Sequence, residues 1–258
     1  MCHLLNIIVK NTPLNMVTKK DIKFINNLKQ KKFRYLNNCF IVEGKKSIRE
    51  FIKSDYKLIK LYSVDCSFFK NMTNQFEIDY KLLKKMSFLN NPDDHIAIFQ
   101  FKNTKPVEEN NLIIALESIR DPGNLGTIIR TCEWFGVKDV VCSLDSVDCY
   151  NQKVIQSAMG SISRVNITYL NLKDYLKSFN GVIIGTSLSG ENLYDSNIKL
   201  SKGILIFGNE ANGLSRELLK LTNFNLTIPR FNVNSFPESL NIASSLSITL
   251  GEIKSNGL

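Results

Sequence analysis

The sequence predicts an α/β protein, with a mostly parallel sheet in the larger C-terminal part and a small α/β module before it. Three observations carry that prediction. From residue 111 onward, short apolar runs alternate with amphipathic segments at the spacing of βα units. The runs, such as NLIIALES and GILIFG, are continuously apolar, as strands covered on both faces must be. The charge is also divided. The 258-residue chain has a formal net charge of +9, with 20 Lys and Arg against 11 Asp and Glu in residues 1–110, and 13 of each in residues 111–258. A basic module joined to a neutral one suggests a part that grips a polyanion and a part that does something else. A Lys- and Asn-rich composition drifting with an AT-rich genome would leave the same imbalance.

The elements follow in order. Residues 1–15 fit none, and Met16 followed by VTKKDIKF offers a second start. DIKFINNLKQ places apolar residues at 22, 24, 25 and 28, a helical spacing, and KKFRYLNN breaks it. CFIVEG reads as a strand ending in a turn glycine, and KKSIREFIKS as a helix with Ile48, Phe51 and Ile52 on one face. KLIKLYSV is a strand, DYKLLKKMS a short helix and HIAIFQF a strand. Together these form a module over residues 16–101, and the polar FKNTKPVEENN makes residues 102–111 a linker. In residues 112–258 the strands are NLIIALES, DVVCS, NITYL, GVIIGTSL, GILIFG and FNLTIP. The helices are TIIRTCEWFG, NQKVIQSAMGSI, LKDYLKSF, LSRELLKL and SLNIASSLSITLGEI.

Several functions are excluded or weakened. No apolar run approaches the roughly 20 residues that cross a bilayer. The N-terminal apolar stretch lacks a small-residue cleavage site, so secretion is not expected. The six cysteines form no Cys-x-x-Cys pair, which argues against zinc, redox motifs and a disulfide scaffold, and for a reducing cytoplasm. The two histidines, His3 and His95, are expected on the surface, and Asp145 and Asp148 in a surface loop. GTSLSG lacks the last glycine of a hydrolase nucleophile elbow.

Ligands in open α/β sheets sit beyond the C-terminal ends of the strands, and three unusual loops fall there. ESIRDPGNLGTIIR reads as a Gly-containing turn followed by a helix, where Gly123 and Gly126 permit close backbone approach and Arg130 points back over the turn. It matches neither a dinucleotide fingerprint nor a phosphate P-loop. LIFGNEANGLSREL is rich in residues that tolerate positive φ and adds Glu210, a carboxylate no simple turn requires. IPRFNVNSFPESLNIASS leads from a strand into a helix that Ser239 or Asn241 caps. Arg230, at its start, is placed to meet a phosphate.

DPGNLGTIIRTCEWFGV, LIFGNEANGLS and IPRF…ESLNIASS, in that order, resemble the SpoU (TrmH-like) family of RNA ribose 2′-O-methyltransferases. FIVEGKKSIREFI is similar to the family's small L30e-like substrate-binding domain. The resemblance implies a SPOUT-like methyltransferase domain with a C-terminal trefoil knot, a feature the general prior on folds opposes. It also implies a homodimer, S-adenosylmethionine as cofactor, no metal, and an RNA substrate, ribosomal before transfer RNA. A non-catalytic RNA-binding protein of the same fold is the competing reading. By resemblance, Thr186, Phe207, Gly208, Ile228, Ser239 and Leu240 line the cofactor pocket, and Asn124, Arg130, Glu210, Ser239 and Asn241 serve the reacting site. A guanidinium is a cation and a poor base, so Arg130 is expected to bind a phosphate beside the hydroxyl and to partner Glu210, with either a phosphate oxygen or a transiently deprotonated guanidine taking the proton. The densest basic run, Lys19, Lys20, Lys23, Lys29, Lys31, Lys32 and Arg34, is expected to grip RNA.

Overall fold

A computed structural model describes residues 17–70, 72–196, 198–232 and 239–256. The expectations for residues 1–16, including His3, and for Glu238 lie outside them. The chain divides into two compact units, one running to Lys45 and joined by Leu58–Gln100, the other made of Lys46–Lys57 and Phe101–Leu258.

The first unit carries α1 (Lys19–Asn27), α2 (Lys31–Asn37) and β1 (Cys39–Glu43). The chain then makes α3 (Lys45–Ile52), most of which belongs to the second unit, and returns with β2 (Leu58–Ser63), β3 (Gln75–Glu77), α4 (Tyr80–Met86) and β4 (His95–Gln100). The sheet order is β1-β4-β2-β3, antiparallel except for β2 with β3. Ile25, Leu28, Ile41, Tyr62, Leu83, Met86, Ile96 and Ile98 fill its core.

Three expectations change here. KKFRYLNN does not simply break the first helix but forms α2, which ends at Asn38 in the left-handed conformation. Arg34 is buried and donates to the carbonyls of Leu28 (2.9 Å) and Lys29 (2.8 Å), where it satisfies the end of α1 instead of facing solvent. His95 is fully buried, edge-on to Phe68 and Phe69, with Nε2 3.2 Å from the carbonyl oxygen of Asp65. Burial and the nearby Lys45 ammonium hold its pKa below the usual histidine value.

The second unit is built on β5 (Leu112–Leu116), α5 (Pro122–Trp134), β6 (Asp139–Ser143), α6 (Gln152–Ala158), β7 (Asn166–Leu170), α7 (Leu172–Ser178), β8 (Ile183–Asn192), β9 (Gly203–Phe207), α8 (Arg216–Leu219), β10 (Phe224–Thr227) and α9 (Ile242–Ser255). All six strands are parallel, in the order β10-β8-β9-β5-β6-β7. The two central strands, β5 and β9, are buried at every position, which explains their unbroken apolar sequences. From β5 the chain builds outward through β6 and β7, then crosses to the other side for β8 and β9. The order therefore reverses between β5 and β9, the place where parallel sheets open a crevice at their C-terminal edge.

The expected Gly-containing turn after β5 is helical. Asp121 caps α5 by accepting from the Asn124 amide at 2.8 Å, and Pro122 occupies the first turn, where its missing N–H costs nothing. Gly126 does permit close approach, but to α6: a Cβ there would lie 2.6 Å from the Ser157 Cβ and 2.7 Å from the Val154 carbonyl oxygen. Asp148 is buried, not in a surface loop, whereas Asp145 is exposed.

Candidate active site

Two loops meet at the reversal between β5 and β9. Glu210, from the loop after β9, inserts its carboxylate into the loop after β5. It accepts from the backbone amides of Arg120 and Asp121 (3.3 Å each), from Asn124 Nδ2 (3.2 Å) and from Asn209 Nδ2 (3.4 Å). Asn209 Nδ2 also donates to the Ser118 carbonyl (2.7 Å), and the Ser215 amide donates to Glu117 (2.8 Å). The two loops are clasped at both ends, through Asn209 and Glu210 and through Ser215.

Asn124 links this clasp to the third loop. Its Oδ1 accepts from Asn241 Nδ2 at 2.8 Å, and the Oδ1 of Asn241 caps α9 by accepting from the amides of Ala243 (2.9 Å) and Ser244 (3.3 Å). Asn241, and not Ser239, is thus the cap. Asn241, Asn124 and Glu210 form one hydrogen-bonded row, and with Arg120, Asp121, Asn209 and Ala211 they line an open cavity of about 610 Å³ edged by polar side chains.

The loop after β5 has a second anchor. Ser118 sits at φ 54, a left-handed conformation uncommon for a non-glycine residue. Its amide donates to Ser143 Oγ (2.7 Å) and its hydroxyl to Asp145 (2.7 Å), which Arg120 also reaches (2.8 Å). The hydroxyls of Ser143 and Ser118, with the Arg120 guanidinium, hold the Asp145 carboxyl below the usual carboxylate range. Ser118, Arg120, Asn209 and Asp145 are the functional neighbours that sequence reasoning did not single out for this role; only the Asp-Pro start of α5 hinted that the preceding loop would be tightly held.

Beside the open cavity lies a deeper, mainly apolar one of about 660 Å³. All six residues expected at a cofactor pocket line it: Thr186, Phe207, Gly208, Ile228, Ser239 and Leu240. Thr186 is fixed by a hydrogen bond to the Ile206 carbonyl (3.1 Å). Leu193, Leu214 and Leu226 add apolar wall, and Arg230 stands on the lining. Gly208 is required by packing: a Cβ there would fall 2.1 Å from the Gly213 carbonyl carbon and from the Leu214 nitrogen, across the Asn209–Gly213 bridge. Asn209, Glu210 and Ala211 line both cavities, so the deep and open hollows share one wall.

Arg130 is the exception among the expected site residues. It does not partner Glu210, whose oxygens are engaged by the donors named above, and it lines a separate cleft with Glu133, Trp134 and Arg164. The reason is helical geometry. Because α5 starts at Pro122, Arg130 lies roughly two turns in and six positions beyond Asn124, on another face and about 9 Å further along the axis.

Comparison with known proteins agrees with this geometry. The SpoU rRNA Methylase family model matches residues 111–251, and the MRM3-like substrate binding domain model matches residues 19–97. The chain is 27% identical over 240 residues to the 23S rRNA (guanosine(2553)-2′-O)-methyltransferase RlmP of Bacillus subtilis, covering 90% of this chain and 95% of that protein. It is 31% identical over 189 residues to an uncharacterised tRNA/rRNA methyltransferase of Synechocystis, covering 70% and 67%. Among solved structures, an AdoMet-bound rRNA methyltransferase from Sinorhizobium meliloti superimposes with a TM-score of 0.83 at 25% identity, covering 94% of this chain and 97% of that one.

Proposed function

The chain belongs to the SpoU rRNA methylase family, and from that premise we propose that it transfers a methyl group from S-adenosylmethionine to a ribose 2′-hydroxyl of structured RNA, and that this RNA is ribosomal. The observation that carries the reading is the shared wall of Asn209, Glu210 and Ala211, which sets a deep hollow suited to a methyl donor against an open one edged by the carboxamides and carboxylates that suit a sugar. The names of the relatives from Bacillus subtilis and Sinorhizobium meliloti support the ribosomal assignment.

The residues present fit the cofactor. Leu188 and Leu240 offer exposed apolar surface to a flat base over a floor of buried Phe207, Leu193 and Leu226, and the close approach at Gly208 keeps the strand-end backbone bare beside it. Thr186, Phe207, Gly208, Ile228, Ser239 and Leu240 would hold S-adenosylmethionine there. When bound, it supplies a methyl group on a sulfonium centre, whose departure leaves a neutral thioether.

The chain's own side chains then have distinct tasks. The carboxamides of Asn124 and Asn241 both donate and accept, and they orient the sugar hydroxyls. Glu210 has its oxygens committed to N–H donors, which suits it to clasping the loops and not to taking a proton. Ser239 stands at the border of the cofactor pocket near Asn241. Arg130 grips the RNA phosphate backbone from the adjoining face of α5, outside both cavities, and the hydroxyl proton passes to a phosphate oxygen of the RNA beside the reacting sugar. Alignment of the attacking oxygen with the methyl group is an orientation effect, worth several kcal/mol.

We further propose that residues 16–101 form the substrate domain, 102–111 a linker and 112–258 the methyltransferase domain. The knot implied by the resemblance belongs to the same proposal, as does a cytoplasmic location. Among the described residues no helix is long and apolar enough to cross a membrane, and no His, Cys, Asp and Glu cluster could hold a metal ion. A homodimer is supported by the exposed apolar residues Leu188, Phe231 and Leu240 at the cofactor cavity, which a second copy would cover. Incubation of the protein with methyl-labelled S-adenosylmethionine and, separately, deproteinised ribosomal RNA and bulk transfer RNA is expected to label the ribosomal RNA. Label confined to transfer RNA would move the substrate, and label on neither would remove the activity. Light scattering during gel filtration is expected to give twice the 29.4 kDa chain mass.

A further inference from the structure

A single cation stands on the open cavity. Among the described residues that line it, Arg120 alone carries positive charge, beside Asn124, Glu210 and Asn241. Its side chain is 65% exposed, yet the residue is held at both ends. At the root, the Arg120 amide donates to Glu210 (3.3 Å). At the tip, Nη2 donates to Asp145 Oδ2 (2.8 Å). Asp145 is itself fixed, because it accepts from the hydroxyls of Ser118 (2.7 Å) and Ser143 (2.6 Å). Ser118 keeps its left-handed φ of 54 with its amide bonded to Ser143 Oγ. All of these residues lie within the second compact unit.

An exposed ion pair adds little to stability, so stability does not account for a bracket of two serines and an aspartate around one arginine. A backbone held in a sparsely populated conformation points instead to a site. A guanidinium presents five N–H donors in a planar fork. Apart from the Nη2 contact with Asp145, the fork of Arg120 meets no acceptor among the described residues. Because the side chain is already pinned, binding a ligand there carries a smaller ordering cost. A ribose within an RNA chain has a phosphodiester on each side, and the fork matches phosphate oxygens. The lining also carries the carboxylates of Asp121 and Glu210, whose charge would repel a phosphate, and a fixed cation offsets that repulsion. We propose that Arg120 binds the phosphate beside the ribose seated in the open cavity, and that Asp145 is a positioning residue that holds the guanidinium ready for it. The proposal rests on the RNA-modifying function above and adds to it a substrate contact.

The test is the salt dependence of binding between the full chain and deproteinised ribosomal RNA, with S-adenosylhomocysteine present, over about 50 to 200 mM salt. Arg120→Ala is expected to weaken binding roughly tenfold at low salt, the lower end for a charge-assisted hydrogen bond. It should also make the log–log salt slope shallower by about 0.7, the share of one phosphate contact on a single strand. Arg120→Lys keeps the charge, so it should restore the slope and recover part of the affinity. S-adenosylhomocysteine binding should not change, because Arg120 is not on the lining of the deep cavity. Asp145→Asn should keep the slope and weaken RNA binding by a smaller factor. The double variant of Arg120→Ala with Asp145→Asn should then bind no worse than Arg120→Ala alone. An unaltered slope and affinity in Arg120→Ala, in a protein that methylates ribosomal RNA, would overturn the contact while leaving the function standing. Loss of S-adenosylhomocysteine affinity in step with RNA affinity would also overturn it, by making Arg120 a structural tie between the loops. Additive losses in the double variant would overturn the role of Asp145. A shallower slope in a protein that transfers no methyl group would sustain the contact and remove the activity.

Discussion

Asn124→Ala is expected to lower kcat for methyl transfer by about two orders of magnitude, the loss that follows when reacting groups shift by about 1 Å. S-adenosylhomocysteine binding should change little. The asymmetry follows from position. Asn124 lines the open cavity but not the deep one. Its side chain is the link between Asn241 and Glu210, so its loss leaves the Asn241 Nδ2 without that acceptor and releases the α9 end from the clasp between the loops. The start of α5 should survive, because the cap there is made by the Asn124 backbone amide with Asp121. Calorimetric titration with S-adenosylhomocysteine, set beside single-turnover methylation, separates the two effects. Full turnover in the variant would remove the row of carboxamides from the mechanism, and equal loss of cofactor binding would show that the two cavities are not independent.

The sequence was informative wherever a local rule acts alone. Six parallel strands follow from apolar runs that must be covered on both faces, and the three loops that carry the site stand at strand ends as expected. All six residues assigned to the cofactor pocket share one cavity, and Asn124, Glu210 and Asn241 share one hydrogen-bonded row. What was not legible depends on contacts distant in sequence. Asp121 and Pro122 turned the PGNLG segment into helix, which moved Arg130 to another face and away from Glu210. Two of the four donors to the Glu210 carboxylate are backbone amides, which no residue-type pattern reveals. Arg34 and His95 look like surface residues in a basic, polar module, yet the first caps a helix from inside and the second packs between aromatic edges.

The second large effect is expected at Gly208. Gly208→Ala should weaken S-adenosylhomocysteine binding roughly 5- to 150-fold, the range of a 1–3 kcal/mol overpacking penalty. The added methyl group would meet backbone, not the yielding end of a side chain, and relief requires the Asn209–Gly213 turn to move off the β9 end. That movement displaces the wall common to both cavities. Gly213→Ala is the informative contrast. Gly213 has a φ of 66, so alanine there carries the left-handed penalty of about 1–2 kcal/mol, but open space surrounds the new atom. It should lower the melting temperature and spare cofactor affinity. If the two variants lost affinity equally, backbone strain and not closure of the pocket would explain both.

The whole account rests on the open hollow holding a sugar hydroxyl against the methyl donor. The most direct measurement is alkaline hydrolysis of ribosomal RNA after labelled methyl transfer by the purified protein. A methyl group on the 2′-oxygen blocks cleavage of the adjoining phosphodiester, so the account predicts label recovered in alkali-resistant dinucleotides from a defined site. Label recovered wholly in alkali-sensitive mononucleotides would mean methylation of a base, and would contradict it.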